Sequence, residues 1–162
     1  MHPVAAPLAA ALGMHTRLYL NCLEGVDDEE AGRRPGERTN SLAFLALHLV
    51  DSRHFAARLL GVETVANPFA ALLEGVSGID GLARLPPLAE IRTAWSEVSA
   101  ALEARLGALT ADELGAPSPQ RFPLDDPSVA GALAFLVTHD AYHVGQMALI
   151  RKYLGHAPMR YT

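Results

Sequence analysis

A chain of 162 residues is long enough for one domain to bury a core without disulfides or a structural zinc as folding aids. Its 18 acidic and 13 basic residues give a net charge of −5 with no Lys/Arg stripe, which argues against a nucleic-acid partner. The single cysteine, Cys22, excludes an internal disulfide framework and a CxxC metal site.

The opening stretch "MHPVAAPLAAALG" lacks a basic n-region, contains two prolines and is too short to span a bilayer. It reads as the start of a helix in a cytoplasmic protein without membrane contact. Helix period predicts a first helix from about Pro3 or Val4 to about Leu23, with a stripe of Leu8, Leu12, His15, Tyr19, Cys22 and Val26. The charged run "DDEEAGRRPGERTN" follows and ends in an N-cap at Asn40 or Ser41. A second helix continues to Leu60, where Gly61 stops it. From Val62 to Pro87 the pattern breaks at "NPF", "EGVSGIDG" and "LPP", and so long a connection in a small domain is expected to cover a pocket or to move.

A third helix is expected from about Pro87 to Leu106, with Leu88, Ile91, Trp95, Val98, Leu102 and Leu106 facing the core. Thr110 and Glu113 match a capping box and predict one further helical turn. After the loop "GAPSPQRFPLDDPS", a fourth helix begins near Asp126 to Ser128 and runs to about Leu154, with Asp125 and Asp126 favouring its N-terminus. No alternating strand pattern or solenoid period is present. The expected architecture is an all-α four-helix bundle in a single domain over residues 1–162, with long connections.

At about 100° per residue, His139 and His143 share one face of the fourth helix. That sector also holds Phe135, Leu136, Gln146, Met147, Ile150 and Tyr153, whereas Asp140, Arg151 and Lys152 fall outside it. On the second helix His48 lies in the apolar sector with Ser52, and His54 projects with Asp51 and Arg58 on the polar side. Three inward imidazoles without partners would waste hydrogen-bonding capacity. A divalent metal takes neutral imidazole, and two ligands at i and i+4 with a third from a facing helix suit a bundle-core site with an open position. No carboxylate enters the inward sectors, so an all-nitrogen set suited to zinc, nickel or iron is expected. The spacing alone fits satisfied core histidines equally well, and both readings stand on the residues.

The segments "NSLAFLALHLVDSRHFAARLLG" and "THDAYHVGQMALIRKYLG" resemble the DinB-like family of four-helix-bundle proteins. The resemblance covers most of the chain, and the second segment is the more specific part. It implies an up-down-down-up bundle with a divalent metal on His48, His139 and His143, commonly in a homodimer, and it matches Gln146 to a recurrent glutamine beside the ligands. It further implies an enzyme acting on a small molecule, either a transferase using a low-molecular-weight thiol or a hydrolase. The alternative is a non-catalytic, stress-related dimeric bundle that binds metal or a small molecule. No counterpart is expected here of the extra C-terminal domain of the mycothiol-dependent isomerases, which weakens the expectation of that particular activity.

Beside the ligands, His15, Tyr19 and Cys22 are candidates for the pocket wall, with His15 also a candidate general base. Tyr142 and Gln146 are candidates to orient water or substrate. Cys22 reads more readily as a small buried hydrophobe than as a nucleophile, Trp95 as core, and Arg33, Arg34 and Arg38 as a solvated connection rather than a site for an acidic substrate group.

Overall fold

The computed structural model describes residues 2–161. Four long helices dominate it: α1 (Ala5–Leu23), α3 (Leu42–Leu59), α5 (Leu88–Ala108) and α7 (Val129–Tyr153). Short helices α2 (Asp28–Gly32), α4 (Ala70–Leu73) and α6 (Ala111–Gly115) sit in the connections, with a 3-10 turn at Ile79–Gly81. Local chemistry sets the boundaries. Ser41 and Ser128 cap α3 and α7 by accepting from the backbone N–H groups of Phe44 and Gly131. Gly61, at φ 73°, takes the left-handed turn that ends α3. The start of α7 needs glycine for a different reason, since a Cβ on Gly131 would lie 2.3 Å from the Asp126 carbonyl oxygen. Asp126 itself accepts from the Ser128 N–H at 2.9 Å and so braces that turn.

The charged connection after α1 is not wholly irregular. Asp27 and Glu30 form a reciprocal capping box that starts α2, with the same spacing as Thr110 and Glu113 at α6. The 62–87 connection likewise contains α4 and the 3-10 turn, and its Phe69 is buried in the core.

The long helices pack in a ring, with α1 and α3 each against α5 and α7. Cross-helix bonds give their relative directions. Tyr19 Oη donates to the Ala46 carbonyl and Arg53 Nη2 to that of Leu12, so α1 and α3 run oppositely. Trp95 Nε1 donates to Thr16 and Arg92 to Leu23, which makes α5 antiparallel to α1 as well. Arg151 reaches the carbonyls of Cys22 and Glu24, while Leu12 shares a core cluster with Leu133 and Leu136, so α7 runs parallel to α1.

The interior has two apolar halves. One gathers Tyr19, Leu23, Leu42, Leu45, Leu49, Ile91, Trp95 and Met147; the other gathers Leu12, Leu60, Val98, Leu106 and Leu133. Each fully buried large side chain contributes about 1.5–3 kcal/mol relative to exposure. Between the halves runs a polar layer. Arg53 Nε bonds Asp140 Oδ2 at 2.6 Å, and both side chains are 2% exposed. The same guanidinium donates to Thr16 Oγ1 and Ser99 Oγ and lies 4.3 Å above the Trp95 ring, which stacks on Tyr19.

The packing of the helices overturns three assignments made from helical angles. Asp140 and Arg151, placed outside the inward sector, are buried, and so is His54, placed on the polar side. The angular argument assumes that a helix has one wet face. However, α3 is covered by α5, α7 and α2, and Leu42–Val50 are all buried except the half-buried His48. Arg151 is buried because it serves the carbonyls ending α1 and that of Ala157.

Removing one member of a buried ion pair leaves the other charge uncompensated. Asp140→Ala is expected to lose about 3–5 kcal/mol of stability in urea unfolding, and Arg53→Met with Asp140→Leu to recover most of it.

Candidate metal centre

The three histidines expected to face inward do converge. His48 comes from the middle of α3, and His139 and His143 from successive turns of α7. One ring nitrogen from each lies within 4.8 Å of the others, so the group can hold a metal ion. Ring centroids are 5.0 Å apart for His48 and His139, 4.7 Å for His48 and His143, and 4.5 Å for His139 and His143. All three rings are half-buried, where the seam between the apolar halves reaches the surface.

The nitrogens are arranged as a ligand set requires. His48 Nε2 and His139 Nε2 stand 3.1 Å apart. Two nitrogens on a tetrahedral ion with bonds of 2.0–2.1 Å would be about 3.3 Å apart, so the spacing needs little adjustment. Ser52 Oγ lies 3.3 Å from His139 Nδ1, one turn beyond His48 on the same face of α3. Gln146 Oε1 lies 2.7 Å from His143 Nδ1 and accepts its proton, while Gln146 Nε2 donates to Tyr142 Oη at 3.1 Å. The Gln146 carbonyl holds the proton of His143 on Nδ1 and leaves its Nε2 lone pair for a ligand, and Ser52 engages Nδ1 of His139 on the side away from His48 Nε2. The residues therefore fit a divalent cation.

Electrostatics favour the neutral imidazoles that a metal needs. Burial lowers the pKa of His48 to about 4, helped by the two neighbouring imidazoles. His139 is lowered to about 4 by burial and then by His143. His143 is lowered by burial, against a raising contribution from its bond to Gln146.

Of the other candidates, Ser52, Tyr142 and Gln146 join the histidines directly or through one bond, although the Tyr142 side chain is largely solvent-facing. His15 and Tyr19 do not. His15 is buried in the polar layer with Nδ1 unbonded, and its pKa is lowered by burial against the pull of Asp140. Tyr19 is fully buried on Trp95, so its spacing on the inward face of α1 leads to core rather than to a pocket wall. Cys22 is buried too, its thiol pushed up to about 12 by desolvation, which is the setting of an inert core thiol. Tyr153 points outward, contrary to the sector assignment. The 62–87 connection bonds Asp51 through Asn67 and Arg34 through Asp80, and none of its hydrogen bonds among the described residues reaches the three histidines.

A family model of the DinB superfamily matches residues 11–147, a span that holds all three histidines and Gln146. The chain belongs to the DinB superfamily. A crystal structure of a DinB-like protein, YjoA of Bacillus subtilis, is similar at a TM-score of 0.62 and 14% identity, covering 98% of this chain and 96% of that one. That likeness is one of fold. No curated protein matches the chain. No helix of this DinB-superfamily member, among the described residues, is long and apolar enough to cross a membrane.

Sequence reasoning missed Arg53. Its signal was an arginine flanked by Leu49, Val50, Ala56 and Ala57, the positions that share its helix face.

In the metal-free protein, His48 and His139 stay neutral down to about pH 4, against 6.5 in an unfolded chain. The unfolded state therefore binds protons first as pH falls, and stability drops between about pH 6.5 and pH 4. Urea midpoints measured across this range with chelator present should fall, and less steeply in His139→Phe; a midpoint flat down to pH 4.5 contradicts the lowered values.

Proposed function

We propose that this protein is a metal-dependent enzyme in which His48, His139 and His143 hold a divalent ion, zinc, nickel or iron, and which transfers a group to or from a low-molecular-weight thiol or hydrolyses a small molecule. The observation that carries this reading is the convergence of three neutral imidazoles with no fourth protein ligand in the group among the described residues, next to a surface groove that begins at Gln146. Membership of the DinB superfamily supports it. A divalent ion in such a set supplies a nucleophile near neutral pH by lowering the pKa of a bound water or thiol.

The chain's own residues prepare the site. Ser52 and Gln146 fix the rings of His139 and His143 through their Nδ1 atoms, and Tyr142 fixes the Gln146 amide. The apolar half around Leu45, Leu49 and Met147 backs the site and keeps its dielectric low, which strengthens any charge interaction there. A second reading, a non-catalytic metal-binding bundle, draws support from Asp140. This carboxylate directly follows His139, but it is committed to Arg53 and is not free to act as a general base.

Protein purified without a histidine tag should contain about one equivalent of divalent metal by elemental analysis, and His139→Ala should lack it. Adding zinc or nickel in excess to the metal-free protein should raise the melting temperature by about 5–10 °C. Turnover in thiol-conjugation and hydrolysis panels should require that metal; loading without turnover favours the second reading, and no loading sinks both. Gln146→Leu should weaken metal binding by about 10- to 100-fold while leaving the fold intact.

A further inference from the structure

Gln146 has a second neighbourhood. It lies at one end of a surface groove of about 470 Å³, within the range of about 300–1,000 Å³ typical of small-molecule sites. The groove floor is Leu45 and Ile150, and Leu149 and Tyr153 form an apolar wall on α7. Leu149 and Tyr153 are 70% and 62% exposed, so an occupant would cover surface that now faces water. From Gln146 to Tyr153 is about 10 Å along the helix, and His143 lies one turn in the opposite direction.

The other side of the groove is polar and basic, made by Arg38, Thr39 and Asn40 of the connection between α2 and α3. This loop is braced from within. Arg34 donates to the carbonyls of Thr39 and Glu37 and to Asp80, and Gly36 and Thr39 bond each other through both backbone and side chain. Arg34 is thus spent on holding the loop. Arg38, by contrast, makes no hydrogen bond or ion pair among the described residues, and no carboxylate lines the groove. An unpaired guanidinium beside an apolar trough, in a protein of net charge −5, selects a ligand that brings its own negative charge.

We propose that this groove binds the substrate of the adjoining centre, and that the substrate is an amphipathic anion. Its apolar body lies on Leu45, Ile150, Leu149 and Tyr153, and its carboxylate pairs with Arg38, while its reactive end reaches the histidines past Gln146. That the occupant is a substrate rests on the metal-centre reading; that it is an amphipathic anion rests on the groove alone.

The test uses octanoate as the probe, with octanamide and octylamine as neutral and cationic controls, on the full chain with zinc and again with chelator, followed by calorimetry and ligand-observed NMR. Octanoate should bind at least about tenfold more tightly than either control in both conditions, as expected for one charge-assisted hydrogen-bonded pair. Arg38→Ala should abolish that preference with metal content unchanged, and Arg38→Lys should retain part of it. Equal binding of octanoate and octanamide overturns the proposal. So does binding that disappears with chelator but survives Arg38→Ala, because the carboxylate would then sit on the metal. Failure to take up any probe, with a dimer in sedimentation, overturns it in favour of a second copy of the chain covering the groove. A protein that holds no metal yet keeps the Arg38-dependent preference would refute the metal-centre reading and leave the anion site standing.

Discussion

The guanidinium of Arg53 touches all four long helices. Projecting from α3, it pairs with Asp140 on α7, donates to Thr16 and the Leu12 carbonyl on α1, and meets Ser99 and the face of Trp95 on α5. Apolar contact between helices is forgiving of sliding and rotation; a buried charge with five directional donors is not. The pair fixes both the level at which α3 and α7 meet and the rotation of each about its axis. Ser52 precedes Arg53 and His139 precedes Asp140, so the same constraint brings the Ser52 hydroxyl to His139 and lets His48 face the two imidazoles. The histidine cluster is, in this sense, the outer edge of an internal lock.

The placement of that lock between two apolar halves gathers polar groups at its own level of the bundle. His15, Thr16, Arg53, Ser99 and Asp140 lie at one level of the bundle, and the histidine group lies where that level reaches the surface. Burial pushes Asp140 up and Arg53 down in pKa, and their mutual attraction opposes both shifts. The arrangement trades some stability for definition. Two aliphatic side chains of the same volume would pack at lower desolvation cost, without specifying a register.

How far the sequence discloses this molecule depends on how far each signal is local. Helix ends were legible because caps are local: Ser41, Ser128, Gly61 and the Thr110–Glu113 box each act within one turn. The histidine group was legible because His139 and His143 share a face by helix geometry alone, and His48 is an imidazole in a stretch of otherwise buried apolar residues. The polar layer was not legible in the same way. Whether Asp140, Arg151 or His54 is wet depends on which helices surround it, and a single helical wheel carries no knowledge of its neighbours. His54 shows the cost, since its face of α3 is covered although Asp51 and Arg58 suggested solvent. The groove at Gln146 escaped for a related reason: Arg38 comes from a loop whose position depends on Arg34 reaching Asp80 across 46 residues.

Gly131 gives these constraints a further meaning for the way such a chain can change in length. The Asp126 carbonyl fits against α7 only because Gly131, eight residues before His139, has no side chain, and this contact sets where α7 begins. A residue inserted between Gly131 and His139 would turn both α7 imidazoles by about 100° and move them about 1.5 Å along the axis, away from His48. The same insertion in the 62–87 or 116–127 connections would change little, because doubling a flexible loop costs only about 0.6 kcal/mol. Length variation in this protein should therefore collect in the connections and be excluded from the stretch of α7 that carries the histidines.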